Sequence, residues 1–184
     1  MSNFELQKKK QLSRRDLSNE GHIDKQIVSL VNKINKNPNY YTTSSCAGRI
    51  MLIIEKQKKE PNLFIYKTHN KVSLDEIKKN LKKITSKELI YLKQDSCILH
   101  VACKTIKDAQ DLVTKAKLAG WKRSGIMTFD KRIICELIST EHLALPIFKN
   151  KILVSDDYLK IVIKEANKKL KRVRKKIKKL ENLI

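Results

Sequence analysis

The run Tyr40-Tyr41-Thr42-Thr43-Ser44-Ser45-Cys46-Ala47-Gly48-Arg49-Ile50 leads hydroxyls, a thiol, a glycine and an arginine directly into an apolar stretch. Thr and Ser at the mouth of a strand cap or turn the backbone. Four in succession, ahead of the only arginine between Arg15 and Arg123, allow two readings: a polar pocket, or a hydroxyl-rich loop entering a core strand. Gly48 lets backbone approach a ligand closely, and Arg49 offers a planar fork for a carboxylate or phosphate. In an unbroken extended strand Thr43, Ser45 and Arg49 share one face, and a bulge at Gly48 shifts that register.

Working outward, Ile23, Ile27, Leu30, Val31 and Ile34 recur at helical spacing before Asn37-Pro38, which predicts a helix over about 22–36. Residues 50–55 and 64–68 read as strands of a hairpin across a Lys-rich turn containing Pro61. Ser73-Leu74-Asp75-Glu76 is a capping box, opening a helix with Ile77, Leu81 and Ile84 on its buried face and its end near Lys83. Strands follow over 89–93 and 97–103. Thr105 then starts a helix that Gly120 terminates, and strands over 124–129 and 132–138 flank an Asp130-Lys131 turn. This order is not a regular strand–helix alternation. It predicts an α+β fold with a mixed, mainly antiparallel sheet and helices on one side, not a Rossmann fold.

From Ser155 onward Leu159, Ile163, Ala166, Leu170, Val173, Ile177, Leu180 and Ile184 step by fours and threes, a heptad seam on one long helix. The predicted organisation is therefore a body over residues 1–150 and a long basic helix over 151–184. Lysines and arginines surround the seam, answered only by Glu165 and Glu181. A dimer of such helices would repel itself, so the seam is expected to pack on the body or on one partner helix. Its basic faces, with Lys168, Lys171, Arg172, Arg174, Lys175 and Lys178, are then expected to meet RNA; a merely solvated charged face is the other reading.

Lys plus Arg total 41 against 19 Asp plus Glu, a formal net charge of +22, and a polyanionic partner is the economical explanation. Aromatic content is 5%, which favours neutralising the phosphate backbone, with one or two bases read locally, over extensive stacking. Cys46, Cys97, Cys103 and Cys135 form no Cys-x-x-Cys pair, so a reduced cytoplasmic setting is expected. No apolar run approaches a membrane span, and Lys8, Lys9, Lys10, Arg14 and Arg15 precede no hydrophobic segment. Acids and histidines do not cluster along the chain; no metal is expected, and a metal-dependent hydrolase is disfavoured.

Beyond the opening motif lie Gly21-His22-Ile23-Asp24-Lys25-Gln26-Ile27, Tyr66-Lys67-Thr68-His69, Ile98-Leu99-His100-Val101, Gly120-Trp121-Lys122-Arg123-Ser124-Gly125-Ile126 and Ala166-Asn167-Lys168-Lys169-Leu170. In this order, and with Thr-Thr-Ser-Ser-Cys-x-Gly-Arg-Ile, the chain resembles the wybutosine-synthesis tRNA methyltransferase family of archaea and eukaryotes from about Lys9 to the C-terminal helix. It departs at Ala47, where members often carry Ser, and at Gln94-Asp95-Ser96, where a Glu-Pro pair is expected.

The resemblance implies transfer of a methyl group from S-adenosylmethionine to ring nitrogen 4 of a 7-aminocarboxypropyl-demethylwyosine base, 3′ of the anticodon in tRNA-Phe. The four glycines form no G-x-G-x-x-G pattern, so the donor is expected outside a Rossmann fold. An activated sulfonium needs alignment and exclusion of water more than chemical assistance. Thr43, Ser44, Ser45, Cys46, Gly48 and Arg49 are the expected binding segment, with Ser44, Ser45 and Arg49 holding carboxylate or hydroxyl groups of donor or base. His100 lies opposite the apolar Leu99-Val101-Cys103 face of its strand and reads equally as the base for the acceptor's proton and as a satisfied core histidine. His69 is a candidate substrate contact or a surface histidine, Ser124-Gly125 a donor loop or a plain turn, and Trp121 a stacking platform or a core plug. The competing function is a non-catalytic RNA-binding module that uses the same basic helix.

Overall fold

A computed structural model describes residues 2–13, 22–56, 63–84 and 87–184. Arg14, Arg15, Gly21 and the expected turn at Pro61 lie outside the described residues. The chain parts into two compact units: unit 1 takes the described residues of Met1–Ala47, Cys97–Thr140 and Val173–Ile184, and unit 2 those of Gly48–Ser96 and Glu141–Arg172. These boundaries follow the sheets, whereas the boundary near residue 150 drawn from the sequence followed the onset of the heptad pattern.

Unit 1 contains α1 (Asn3–Leu12), α2 (Val28–Lys36), β1 (Tyr40–Cys46), β5 (Ile98–Cys103), α4 (Ile106–Leu118), β6 (Gly125–Thr128) and β7 (Ile133–Ile138). Unit 2 contains β2 (Arg49–Ile54), β3 (Phe64–Thr68), α3 (Leu74–Leu81), β4 (Ile90–Asp95), β8 (Leu143–Lys149) and β9 (Lys151–Ile152). The long helix α5 (Asp156–Leu183) gives its residues up to Arg172 to unit 2 and the rest to unit 1. The α+β class, the antiparallel pairing and the long helix agree with the sequence reading. The strands, however, form two sheets, in the orders β1-β5-β7-β6 and β3-β2-β4-β8-β9. Gly48, at φ 81°, ends the extended run between β1 and β2, so the parity expected for Thr43, Ser45 and Arg49 does not carry through.

The unit 1 core is one face of its sheet, with Leu99, Val101, Cys103, Cys135 and Leu137, covered by Leu30, Val31 and Ile34 of α2, Ala109, Leu112 and Ala116 of α4, and Val173, Ile177 and Leu180 of α5. These helices share one side, as expected. On the other face Tyr41, Ala102 and Ile134 form a small separate cluster that Phe4 of α1 covers. Phe4 and Tyr41 meet with ring centroids 5.2 Å apart. In unit 2, Ile50, Leu52, Ile90, Leu92 and Ile147 pack under Ile77 and Leu81 of α3 and under Leu159, Ile163, Ala166 and Leu170 of α5. Each fully buried Leu or Ile contributes about 1.5–3 kcal/mol, so the heptad seam is accounted for by burial within the units.

Local signals behave as their chemistry requires. Ser73 Oγ accepts from the Glu76 amide at 3.1 Å, and the Glu76 carboxylate accepts from the Ser73 amide at 3.4 Å. At the end of α4 the Gly120 amide bonds to the Lys117 carbonyl and the Trp121 amide to the Ala116 carbonyl, with Gly120 at φ 91°, a full left-handed helix stop. A Cβ on Gly120 would lie 3.2 Å from Lys176 Cε, which a flexible lysine can yield; the left-handed backbone cannot be yielded. Gly120→Ala is therefore expected to lower stability in urea unfolding by about 1–2 kcal/mol, with little change in the transition slope.

Candidate active site

β1, β5 and β7 are neighbours in unit 1, and their registers place Ser44 opposite His100 and His100 opposite Glu136. A register shift between Thr42 and Ser44 brings Ser44 to the face opposite the core, where His100 points because Leu99 and Val101 are turned inward. The three side chains form a continuous row: Ser44 Oγ lies 2.8 Å from His100 Nδ1, and His100 Nε2 lies 3.0 Å from Glu136 Oε1. An ionised carboxylate only accepts, so Nε2–H donates to Glu136, and Nδ1 of the neutral ring accepts from the Ser44 hydroxyl. His100 is half-buried and belongs to no hydrophobic core.

Around this row the motif is held by its backbone. The Asp24 carboxylate accepts from the Ala47 amide at 2.6 Å, and the Arg174 guanidinium donates to the Ala47 carbonyl. Burial holds Arg174 below its usual range, and its tie to Ala47 makes it a support of the motif. Thr43 Oγ1 donates to the His100 carbonyl at 3.4 Å, while Ser45 and Cys46 are half-buried. Burial pushes the neighbouring Cys97 thiol up to about 12, so that sulfur stays a thiol and no nucleophile.

Gly48 and Arg49 open unit 2. His69 Nδ1 lies 3.0 Å from the Gly48 carbonyl; a carbonyl only accepts, so Nδ1 carries the proton. The Arg49 guanidinium stacks over Phe64 at 4.9 Å from the ring centroid, and its Nε lies 3.8 Å from Asp95 Oδ2. Arg49 Nε is buried with no hydrogen-bond partner among the described residues. Burial raises the Asp95 carboxyl above its usual range, opposed by Arg49, His142 and Lys93. Arg49 thus sits as a cation over the Phe64 ring and beside the Asp95 carboxylate.

The remaining sequence candidates fall in other surroundings. The Ser124 hydroxyl donates to the Trp121 carbonyl at 2.6 Å and accepts from the Ile138 amide at 3.2 Å, within a turn. A Cβ on Gly125 would meet nothing within 4 Å. Trp121 is fully buried and donates from Nε1 to the Lys176 carbonyl at 3.1 Å. Lys168 and Lys171 line a cavity of about 630 Å³ in unit 2 together with Lys71, Lys160 and Lys164. Arg172 faces Glu141 at 3.5 Å and Glu165 at 3.9 Å; Lys175 and Lys178 are exposed. Among the described residues no helix is long and apolar enough to cross a membrane. Glu136, Asp24 and Asp95 were not singled out as site residues in the sequence. The signal for Glu136 was there: it is the one acid inside Ile133-Ile134-Cys135-Glu136-Leu137-Ile138, where an apolar strand has no use for a charge without a partner.

The family described as Methyltransferase TYW3 matches residues 5–184. A Thermococcus sibiricus protein named tRNA(Phe) 7-((3-amino-3-carboxypropyl)-4-demethylwyosine(37)-N(4))-methyltransferase is 37% identical, over 99% of this chain and 94% of the relative. The tRNA wybutosine-synthesizing protein 3 homolog of Xenopus laevis is 33% identical, over 95% of this chain and 71% of its own length. Among solved structures, the PH1069 protein from Pyrococcus horikoshii superposes with a TM-score of 0.88 at 36% identity, covering 98% of this chain and 93% of that one. A match spanning nearly the whole chain, in both sequence and fold, makes this chain a member of the methyltransferase TYW3 family.

Proposed function

We propose that this chain methylates ring nitrogen 4 of the aminocarboxypropyl-demethylwyosine base of tRNA-Phe, with S-adenosylmethionine as donor, and that Ser44, His100 and Glu136 take up the displaced proton. The observation that carries the reading is the hydrogen-bonded row Ser44–His100–Glu136. The donor supplies an activated methyl group when bound. Methylation of the ring nitrogen would release its proton. Ser44 Oγ accepts it while passing its own proton to His100 Nδ1, and the Glu136 carboxylate offsets the imidazolium charge. Arg49, whose guanidinium faces Asp95 at 3.8 Å, offers a planar cation to the carboxylate of a methionyl or aminocarboxypropyl group. Ser45 and Cys46 lie on the strand that carries Ser44, and His69 steadies the Gly48 carbonyl.

The lysines of α5 supply the non-specific grip on the transcript. Lys164 and Lys171 of α5, and Lys71 in the same cavity lining, form no ion pair among the described residues, and phosphate neutralisation by such groups makes binding salt-sensitive. A cytoplasmic setting belongs to this reading and is supported by four free cysteines. The test is incubation with methyl-labelled S-adenosylmethionine and tRNA-Phe carrying the demethylated precursor. Label in the RNA, absent when the precursor base is replaced by guanosine, is the expected result. Salt-sensitive RNA binding without transfer would instead make the chain a non-catalytic RNA-binding module.

A further inference from the structure

We propose that the cavity between α1 and the sheet of unit 1 holds an unpaired nucleotide of the RNA substrate, a neighbour of the base that is methylated. This assignment rests on the methyl-transfer reading only for what the neighbouring position does. The cavity encloses about 230 Å³, and its lining includes Phe4, Tyr41, Phe129, Lys104, Lys131 and Arg132. Sites that enclose a whole small ligand run from roughly 300 to 1,000 Å³, so this one suits a single base with its phosphate left outside.

The chemistry of the lining points the same way. Phe129 is 71% exposed, an aromatic ring left uncovered at the rim of a cavity, and a base is the flat partner that covers such a ring whatever its identity. Phe4 and Tyr41, also in the lining, are already packed on each other. Lys104, Lys131 and Arg132 are exposed and form no ion pair among the described residues; Asp130 is the one acid of the lining. A rim of three cations around an aromatic slot is built for a nucleotide, with base inside and phosphate at the edge.

Its position links it to the proton-accepting row. Tyr41, Ala102 and Ile134 share the sheet face of Ser44, His100 and Glu136, and Ala102, which lines the cavity, follows His100 by two residues on β5. That step is about 7 Å along a strand. A base seated in the cavity therefore lies beside one presented to His100, on the same side of the same sheet.

The test is equilibrium binding of a synthetic anticodon stem-loop RNA, in a series where each loop nucleotide in turn is made abasic, to the wild-type chain and to Phe129→Ala. Its phenyl ring is exposed, so the variant is expected to fold, which circular dichroism checks. One abasic position is expected to weaken wild-type binding by about 5- to 150-fold and to weaken Phe129→Ala by less than twofold. Additive losses at every loop position overturn the assignment. Lys131→Ala with Arg132→Ala is expected to make the log–log salt dependence shallower by about 1.4; an unchanged slope overturns the phosphate contacts. The binding measurement needs no methyl donor, so coupling to Phe129 together with no methyl transfer to tRNA-Phe carrying the precursor base would sink the methyl-transfer reading and leave the cavity assigned.

Discussion

His100→Ala is expected to lower single-turnover methyl transfer to precursor tRNA by about 10²–10⁴-fold, with donor and RNA affinities within a few-fold of wild type. His100 is placed on the sheet face away from the unit 1 core, so the loss is chemical and the fold survives. Ser44→Ala should fall in the same range, because it removes the hydroxyl that links substrate to Nδ1 at 2.8 Å. Glu136→Gln separates a relay from a chance contact. Its amide NH₂ can face Nε2, which leaves the proton on Nδ1 and blocks acceptance from Ser44, so transfer should drop at least about tenfold. Rates within twofold of wild type for all three variants would remove the row from the reaction.

The second large effect is on stability. Trp121→Ala is expected to destabilise unit 1 by about 3–5 kcal/mol, seen as an earlier midpoint in chemical unfolding. Trp121 is 0% exposed, packs among α2, α4 and α5 side chains, and follows the left-handed glycine that stops α4. Its indole also donates to the Lys176 carbonyl of α5 at 3.1 Å. Truncation thus opens a large void and removes a hydrogen bond to α5 at once. A stacking platform for substrate would behave oppositely, with weaker RNA binding and unchanged stability.

Much of the fold was legible because period and punctuation agree where one face is buried. The 64–68 strand, the Ser73 and Thr105 caps, the Gly120 stop and the α5 seam all carry their cause in adjacent residues. The misses share a different origin. The helix expected over 22–36 begins only at Val28, because Asp24 is spent accepting from the Ala47 amide and residues 24–27 form a turn closed by the Ile27 amide on the Asp24 carbonyl. α1 buries no residue, so it has no apolar stripe to read. β8 carries Pro146, which breaks a strand signal in the sequence; the proline sits opposite Tyr91, at a register shift in β4. In the site, His100 was visible from alternation alone. Its partners were not, since Ser44 and Glu136 meet it only through strand neighbours far apart in the chain.

Unit 1 is stitched from the first, middle and last parts of the sequence, and this bears on its birth at the ribosome. β1 emerges with Tyr40–Cys46, waits for β5 to supply its edge, and waits again for Val173, Ile177 and Leu180 to seal the interior. Until Leu180 has left the exit tunnel, α2 and α4 alone cover Leu99 and Trp121 on the nascent polypeptide, and the part of that interior that α5 closes stays open to water.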